Sequence, residues 1–149
     1  MSKCKNTLYY LCCVFMTYVN APIHDLLIRI KNAYKARKTT IPAIQYSSFK
    51  WEILKLLKEY GFVQNMEMNE DGRKKFITVI LKPITNMVDD IPVIKFFSKP
   101  SRPWYVSYKE LTSVAGGKGI GILSTSAWLL PSHVAKKRKL WGELIAEIY

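Results

Sequence analysis

The sequence predicts an α+β protein of two small α/β domains, an N-terminal α-β-α-β-β unit and a mostly β C-terminal domain. Three observations lead there. Two segments within the first 60 residues repeat apolar side chains at three- and four-residue steps, the spacing of one helix face. A continuous β-branched run follows an Asp-Gly turn signal. Beyond residue 92 the apolar runs are short and divided by glycine, proline and serine.

The first helix is expected over residues 22–36, where Ile23, Leu26, Leu27, Ile30 and Tyr34 share a face. Pro22 suits a first helical turn and Asn20 the N-cap. A short extended piece, Thr39 to Pro42, leads to a second helix near Ser47 to Tyr60, with Trp51, Ile53, Leu54, Leu56 and Leu57 as its apolar stripe. Ser47 is the expected N-cap, and Gly61 ends the helix at a position that needs positive φ, with Phe62 folding back on the last turn. Phe62-Val63 and a polar stretch reach Asp71-Gly72, and Lys75 to Leu81 (KFITVIL) reads as a buried strand ended by Pro83. These elements make a first domain over residues 18–82.

Residues 83–92, with two prolines and Asp89-Asp90, read as a linker to a second domain over 93–149. Val93 to Phe97 and Trp104 to Tyr108 are expected strands on either side of a Ser-Lys-Pro-Ser-Arg-Pro loop. Leu111 to Val114 suits one helical turn. Ile120 to Leu123 is a strand running into Ser124-Thr125-Ser126. The cluster Lys136-Lys137-Arg138-Lys139 precedes a last strand, Glu143 to Tyr149.

Residues 1–17 read as an extension. Lys3 and Lys5 precede an apolar run, Leu8 to Met16, whose nine residues are too short to span a bilayer. Val19-Asn20-Ala21 is a poor cleavage site for a secretory signal. An upstream start ahead of Met16, a degenerate targeting peptide and an added strand stand open, the first being preferred. Cys4, Cys12 and Cys13 all lie in this segment, without His or Cys partners at zinc-ligand spacing and without the spread of a disulfide framework. No metal, cofactor, membrane or small-molecule substrate is expected.

Lys and Arg total 23 against 11 acidic residues, a formal charge of +12. Such self-repulsion is commonly retained because the partner is a polyanion. Lysines outnumber arginines 18 to 5, which favours point contacts with phosphates over bidentate contacts with bases. The extension carries two lysines and no acid, so its removal leaves the imbalance intact.

Gly116-Gly117-Lys118-Gly119-Ile120-Gly121 superficially suggests a nucleotide loop. It lacks Walker spacing, and a strand follows it where a helix N-terminus is needed. The glycines instead suit a tight turn and close backbone approach. Ser124, Thr125 and Ser126 would need a base to act as nucleophiles, and His24 and His133 are the only histidines. His24, beside Asp25, is expected on an exposed helix face. A hydroxyl-rich loop among lysines suits RNA better, because the A-form minor groove offers 2′-hydroxyls and base edges to short donors and acceptors.

At these residues the chain resembles a known family. Gly117-x-Gly119-Ile120-x-Ile122-Leu123-Ser124-Thr125-Ser126 is similar to the signature of bacterial-type small-subunit ribosomal protein eight, the S-eight family. Pro22-Ile23-x-Asp25-x-Leu27-x-Arg29-Ile30-x-Asn32-Ala33 resembles the family's opening helix. Ser47, Lys50, Ile53, Leu57-Lys58-Glu59, Gly61 and Phe62 follow its second helix in order. Ser98-Lys99-Pro100 with Tyr105, and Gly142-Glu143, match its later landmarks. Five such matches in the correct order, across residues 20–149, are specific.

The resemblance implies two α/β domains and a structural, non-catalytic role. It implies binding to the central domain of small-subunit ribosomal RNA early in assembly, beside neighbouring small-subunit proteins. That places the chain on a ribosome, in a bacterial cytoplasm or an organelle with bacterial-type ribosomes. It implies RNA contacts at Ser124, Thr125 and Ser126, at Lys99 and Tyr105, and at Arg29, Lys31 and Asn32; Lys118 and Gly119 join them as the basic, close-approach turn. Four positions depart from the pattern: Ser101 and Pro103 in the Lys-Pro loop, and Trp128 and Trp141 where the family has glycine. Both tryptophans are expected to pack the core, with base stacking as the alternative.

Overall fold

The computed structural model describes residues 21–72, 74–83 and 91–149. The extension with its three cysteines, the Asn20 cap and most of the expected linker fall outside these residues. Helix α1 (Pro22–Lys35) opens on Pro22, whose fixed φ already suits a helix and whose missing N–H is not needed there. It buries Leu26, Leu27, Ile30, Ala33 and Tyr34 as a single stripe. Its end is a Schellman turn: Arg37 takes φ +53 and the Lys38 N–H donates to the Ala33 carbonyl at 2.9 Å.

Strand β1 (Thr40–Gln45) is an edge strand, and its register on β3 (Lys74–Leu81) shifts between Ile41 and Ile44, around Pro42 and Ala43. Proline is tolerated there because an edge position or bulge leaves its missing donor unneeded. Helix α2 (Ser48–Glu59) follows, burying Ile53, Leu54 and Leu57. Gly61 at φ +77 ends it, with the Phe62 N–H donating to the Leu57 carbonyl at 2.9 Å. Strands β2 (Val63–Asp71) and β3 (Lys74–Leu81) form a hairpin, and β3 lies central in an antiparallel sheet of order β1-β3-β2. Asp71 pairs with Lys74, so the turn falls one residue later than a turn centred on Asp-Gly, with Gly72 at φ +60. The polar stretch before it is strand, because an edge strand needs only one buried face.

The second sheet has the order β4-β8-β6-β7, formed by β4 (Ile94–Phe96), β6 (Ile120–Thr125), β7 (Trp128–Pro131) and β8 (Gly142–Ile148). A fifth strand, β5 (Tyr105–Val106), also pairs with β8, opposite Gly142 and Glu143, whereas β4 lies against Ala146 to Ile148. The helical turn expected at Leu111 to Val114 is displaced to a 3-10 turn over Val114–Gly117, where Ala115, Gly116 and Gly117 all take positive φ. Two elements were not foreseen: strand β7 and helix α3 (Ser132–Lys137). The basic cluster expected before the last strand therefore belongs to this helix and its end. Buried side chains of α1, α2 and the first sheet continue without a break into Ile94, Ile120, Ile122, Leu129 and Ile145 of the second. A smaller cluster, Leu111, Leu123, Ala135 and Leu144, seats α3.

Candidate nucleic-acid interface

Thr125 and Trp128 pair across the β6–β7 connection, which leaves Ser126 and Ala127 as a two-residue turn. The Thr125 hydroxyl braces it from within, donating to the Trp128 carbonyl at 2.8 Å and accepting the Ala127 N–H at 3.2 Å. Among the described residues the hydroxyls of Ser124 and Ser126 have no such partner. Ser126 is exposed and Ser124 half-buried. Behind the turn, a Cβ built on Gly142 would stand 2.4 Å from the Ser124 carbonyl oxygen and 2.9 Å from Thr125 Cγ2. Sequence reasoning assigned Gly142 no part in the site; its signal was the Gly142-Glu143 match at the closing strand.

Glu143 connects the rest. On β8 it pairs with Ser124 on one side and Tyr105 on the other. Its carboxylate accepts the hydroxyl of Ser98, a buried residue. The Ser98 carbonyl accepts the N–H of His24 Nε2 at 2.7 Å, and the His24 ring stacks on Phe96 at 4.8 Å. His24 is thus half-buried between α1 and the second sheet, and not on the exposed face expected. One carbonyl partner and one aromatic neighbour outweighed its adjacency to Asp25. Next to Ser98, Lys99 and Arg102 exchange backbone hydrogen bonds of 3.1 and 2.9 Å, closing a tight loop that leaves both side chains exposed. Ser124, Thr125, Ser126, Tyr105 and Lys99 are therefore brought to one end of the second sheet.

Helix α1 divides its three candidates. Asn32 follows Asp25 by two turns and shares its flank with Arg29, which pairs with Asp25 at 2.9 Å. Lys31 follows His24 by two turns, on the flank whose start bonds to Ser98 through His24. The Arg29 flank faces the start of α2. There Lys50 is buried, its Nζ 3.3 Å from the Gln45 carbonyl, and loss of hydration pushes its pKa down despite Asp25 nearby. Its neighbour Phe49 meets Trp128 at 6.5 Å between ring centroids.

Lys118 and Gly119 lie elsewhere. They precede the opposite end of β6, with Gly119 about 17 Å from Ser124 at the usual rise of a strand. A Cβ on Gly119 would meet the Ile148 carbonyl oxygen at 2.6 Å, which confirms the expected close approach, but between strands of the protein. Lys118 lines a separate hollow of ≈ 240 Å³ with Tyr34, Tyr60, Lys82 and Tyr149.

The two tryptophans correct the packing expectation. Trp128 is 54% exposed and Trp141 66%, each meeting one aromatic edge, Phe49 and Tyr105 respectively. Trp128 also holds φ +88, where a bulky side chain costs about 1–3 kcal/mol. At the end of α3, Lys136 donates to the Leu111 carbonyl at 2.7 Å, while Lys137, Arg138 and Lys139 are exposed. Lys139 lines a hollow of ≈ 340 Å³ with Tyr105 and Trp141.

Neither histidine is offered to the Ser-Thr-Ser turn as a base. His133 Nε2 lies 3.0 Å from the Tyr60 hydroxyl, and His24 is tied to Ser98. Among the described residues no cluster of His, Cys, Asp or Glu could hold a metal ion, and no helix is long and apolar enough to cross a membrane. What the surface presents is hydroxyls, aromatic faces and cations.

Comparison with known proteins gives this surface its setting. A family model described as Ribosomal protein S8 matches residues 21–149. The small ribosomal subunit protein uS8 of Koribacter versatilis (strain Ellin345) is 37% identical over 134 residues, covering 90% of this chain and 100% of its own. That of Anaeromyxobacter dehalogenans (strain 2CP-C) is 39% identical over 130 residues, covering 86% of this chain and 96% of its own. That of Alkaliphilus oremlandii (strain OhILAs) is 40% identical over 128 residues, with the same coverage. Matched along nearly all its described length, the chain belongs to the ribosomal protein S8 family.

Proposed function

We propose that this protein is a structural component of the small ribosomal subunit, with no catalytic role, that binds the central domain of small-subunit ribosomal RNA. The observation that carries the reading is the braced β6–β7 turn, which presents the hydroxyls of Ser124 and Ser126 without a partner among the described residues. Thr125 fixes that turn, and Lys99, Tyr105 and the exposed cations after α3 surround it. Such a surface suits the shallow minor groove of A-form RNA, with 2′-hydroxyls against the turn and phosphates against the lysines. Arg29, Lys31 and Asn32 extend the contact along α1. Lys118 and Gly119 supply a second, distant contact or serve the fold alone.

In this reading residues 18–82 form one domain and 93–149 the domain that carries most of the RNA surface, joined by residues 83–92. The other partners are neighbouring small-subunit proteins. The compartment is a bacterial cytoplasm or an organelle with bacterial-type ribosomes. Ribosomal membership of the curated relatives and the charge of +12 support the same assignment.

The test is binding to a central-domain stem of small-subunit ribosomal RNA across a salt series, with and without residues 1–15. Tight binding that survives excess unrelated duplex RNA is expected, with log affinity falling by about 0.7–0.9 per phosphate contact for each tenfold rise in salt. Weak binding, equal for all RNAs and lost at moderate salt, would overturn the assignment.

A further inference from the structure

Two large aromatic side chains stand in solvent beside the hydroxyl turn, and the fold gives neither an internal use. Trp128 is 54% exposed and Trp141 66%, and each touches one aromatic neighbour at 6.5 Å without being covered by it. They flank the turn in sheet order: Trp141 immediately precedes Gly142 on β8, Thr125 lies between on β6, and Trp128 pairs with Thr125 from β7. The backbone at Trp128 holds φ +88, where glycine would sit without strain. The fold retains strain there and gains no buried indole from it. An observed outlier of this kind at a candidate site points to a function for the side chain.

We propose that Trp128 and Trp141 are stacking faces that each take an unpaired nucleobase, one on either side of the Ser124–Ser126 turn. This rests on the RNA-binding reading above and adds a ligand class to it: bases out of the helix, in addition to the backbone and minor groove of a paired stem. Every base offers a π-face, so stacking needs no sequence-specific donor. Charge complementarity favours this occupant over a protein. The hollow beside Trp141 is rimmed by Tyr105 and Lys139, and Lys139 itself sits at φ +55 following the exposed Lys137 and Arg138. An apolar protein surface would cover these cations without neutralising them, whereas a nucleotide supplies the ring and the phosphate together.

The test uses the full chain, its Trp128→Gly and Trp141→Ala variants, and two RNA hairpins of one stem, differing only in whether two unpaired purines interrupt it. Trp128→Gly removes the strain, so it is expected to melt no lower than the parent while binding the interrupted hairpin about tenfold or more weakly. Trp141→Ala is expected to show the same loss, and both variants to lose the preference for the interrupted hairpin. With Trp51 and Trp104 changed to Phe, the remaining indole emission should be quenched on binding. A parent chain that prefers the interrupted hairpin while both variants keep its affinity, or binding without any change in emission, overturns the stacking assignment and leaves the RNA-binding reading standing; the tryptophans then face a neighbouring protein. A parent that tells neither hairpin from unrelated duplex overturns both.

Discussion

Gly142 lies so close against Ser124 that a Cβ at its position would stand 2.4 Å from the Ser124 carbonyl oxygen. Three further contacts depend on that closeness: β8 pairs with β6, Glu143 comes opposite Ser124, and Thr125 fits over the glycine. Gly142→Ala forces a methyl group against the main chain of Ser124, a clash that no rotamer change relieves. The expected cost is about 1–3 kcal/mol, read as a lowered midpoint in chemical denaturation. An unchanged midpoint would show that the two strands separate freely, and that the seating of the turn does not depend on this glycine.

The three hydroxyls of the turn have different tasks. Ser124→Ala with Ser126→Ala removes groups that no other described residue uses, so stability should stay within about 0.5 kcal/mol of the parent. RNA affinity should fall by about 1–3 kcal/mol, because the RNA groups that met those hydroxyls are left unpaired. Thr125→Val has the opposite profile: it removes both hydrogen bonds that brace the turn and is expected to cost about 1 kcal/mol of stability. Paired denaturation and RNA-binding measurements on the two variants separate these roles. Equal affinity in the double serine variant would remove the turn from the interface.

Local rules made parts of this fold legible and left others hidden. Helices α1 and α2 repeat apolar residues over three or four turns, and Gly61 at φ +77 is where a helix-ending glycine belongs. Helix α3 has six residues and buries only Ser132 and Ala135, too few for a periodic signal. Strand β7 was hidden for a related reason: Trp128-Leu129-Leu130-Pro131 ends in proline and gains its place by pairing with β6. The gathering of Lys99, Tyr105 and Ser124 was not readable from spacing, since it depends on β5 and β6 flanking β8. The separation of Lys118 and Gly119 from Ser124 was readable in principle, because an extended strand between them must hold them apart. The exposure of Trp128 and Trp141 is not readable from the sequence, because large aromatic residues usually fill cores.

Lys50 makes pH a probe of the α1–α2 junction. Burial disfavours its charged form in the fold, and although Asp25 opposes this, the pKa lies below the ordinary 10.5. Between that lowered value and 10.5 the unfolded chain binds more protons than the folded one. The penalty is therefore fully present below the folded pKa and disappears as pH rises towards 10.5. Lys50→Met carries no such penalty. It should be at least as stable as the parent at pH 7, with the difference shrinking as pH rises through the lowered pKa towards 10.5. Groups common to both proteins cancel in that comparison. A difference that does not change with pH would show that Lys50 is hydrated in the fold.

Ser98 and Glu143 connect the Lys99 loop to the strand behind the turn, and their coupling is measurable. The Ser98 hydroxyl donates to the Glu143 carboxylate in a half-buried setting, while the Ser98 carbonyl is held from the other side by His24 at 2.7 Å. Ser98→Ala leaves the carboxylate without this donor and is expected to cost about 1–3 kcal/mol. Glu143→Ala alone should also destabilise, because it strands the buried serine hydroxyl. With both changed, neither group is left unmatched, so the double variant should be more stable than the sum of the single effects by more than about 0.5 kcal/mol. If the bond also fixes the Lys99 loop, each single variant should weaken RNA binding beyond its effect on stability, under conditions where the protein stays folded. Strict additivity in the denaturation cycle would show that the two residues are neighbours without being partners, and that the Lys99 loop is held by its own hairpin contacts with Arg102 alone.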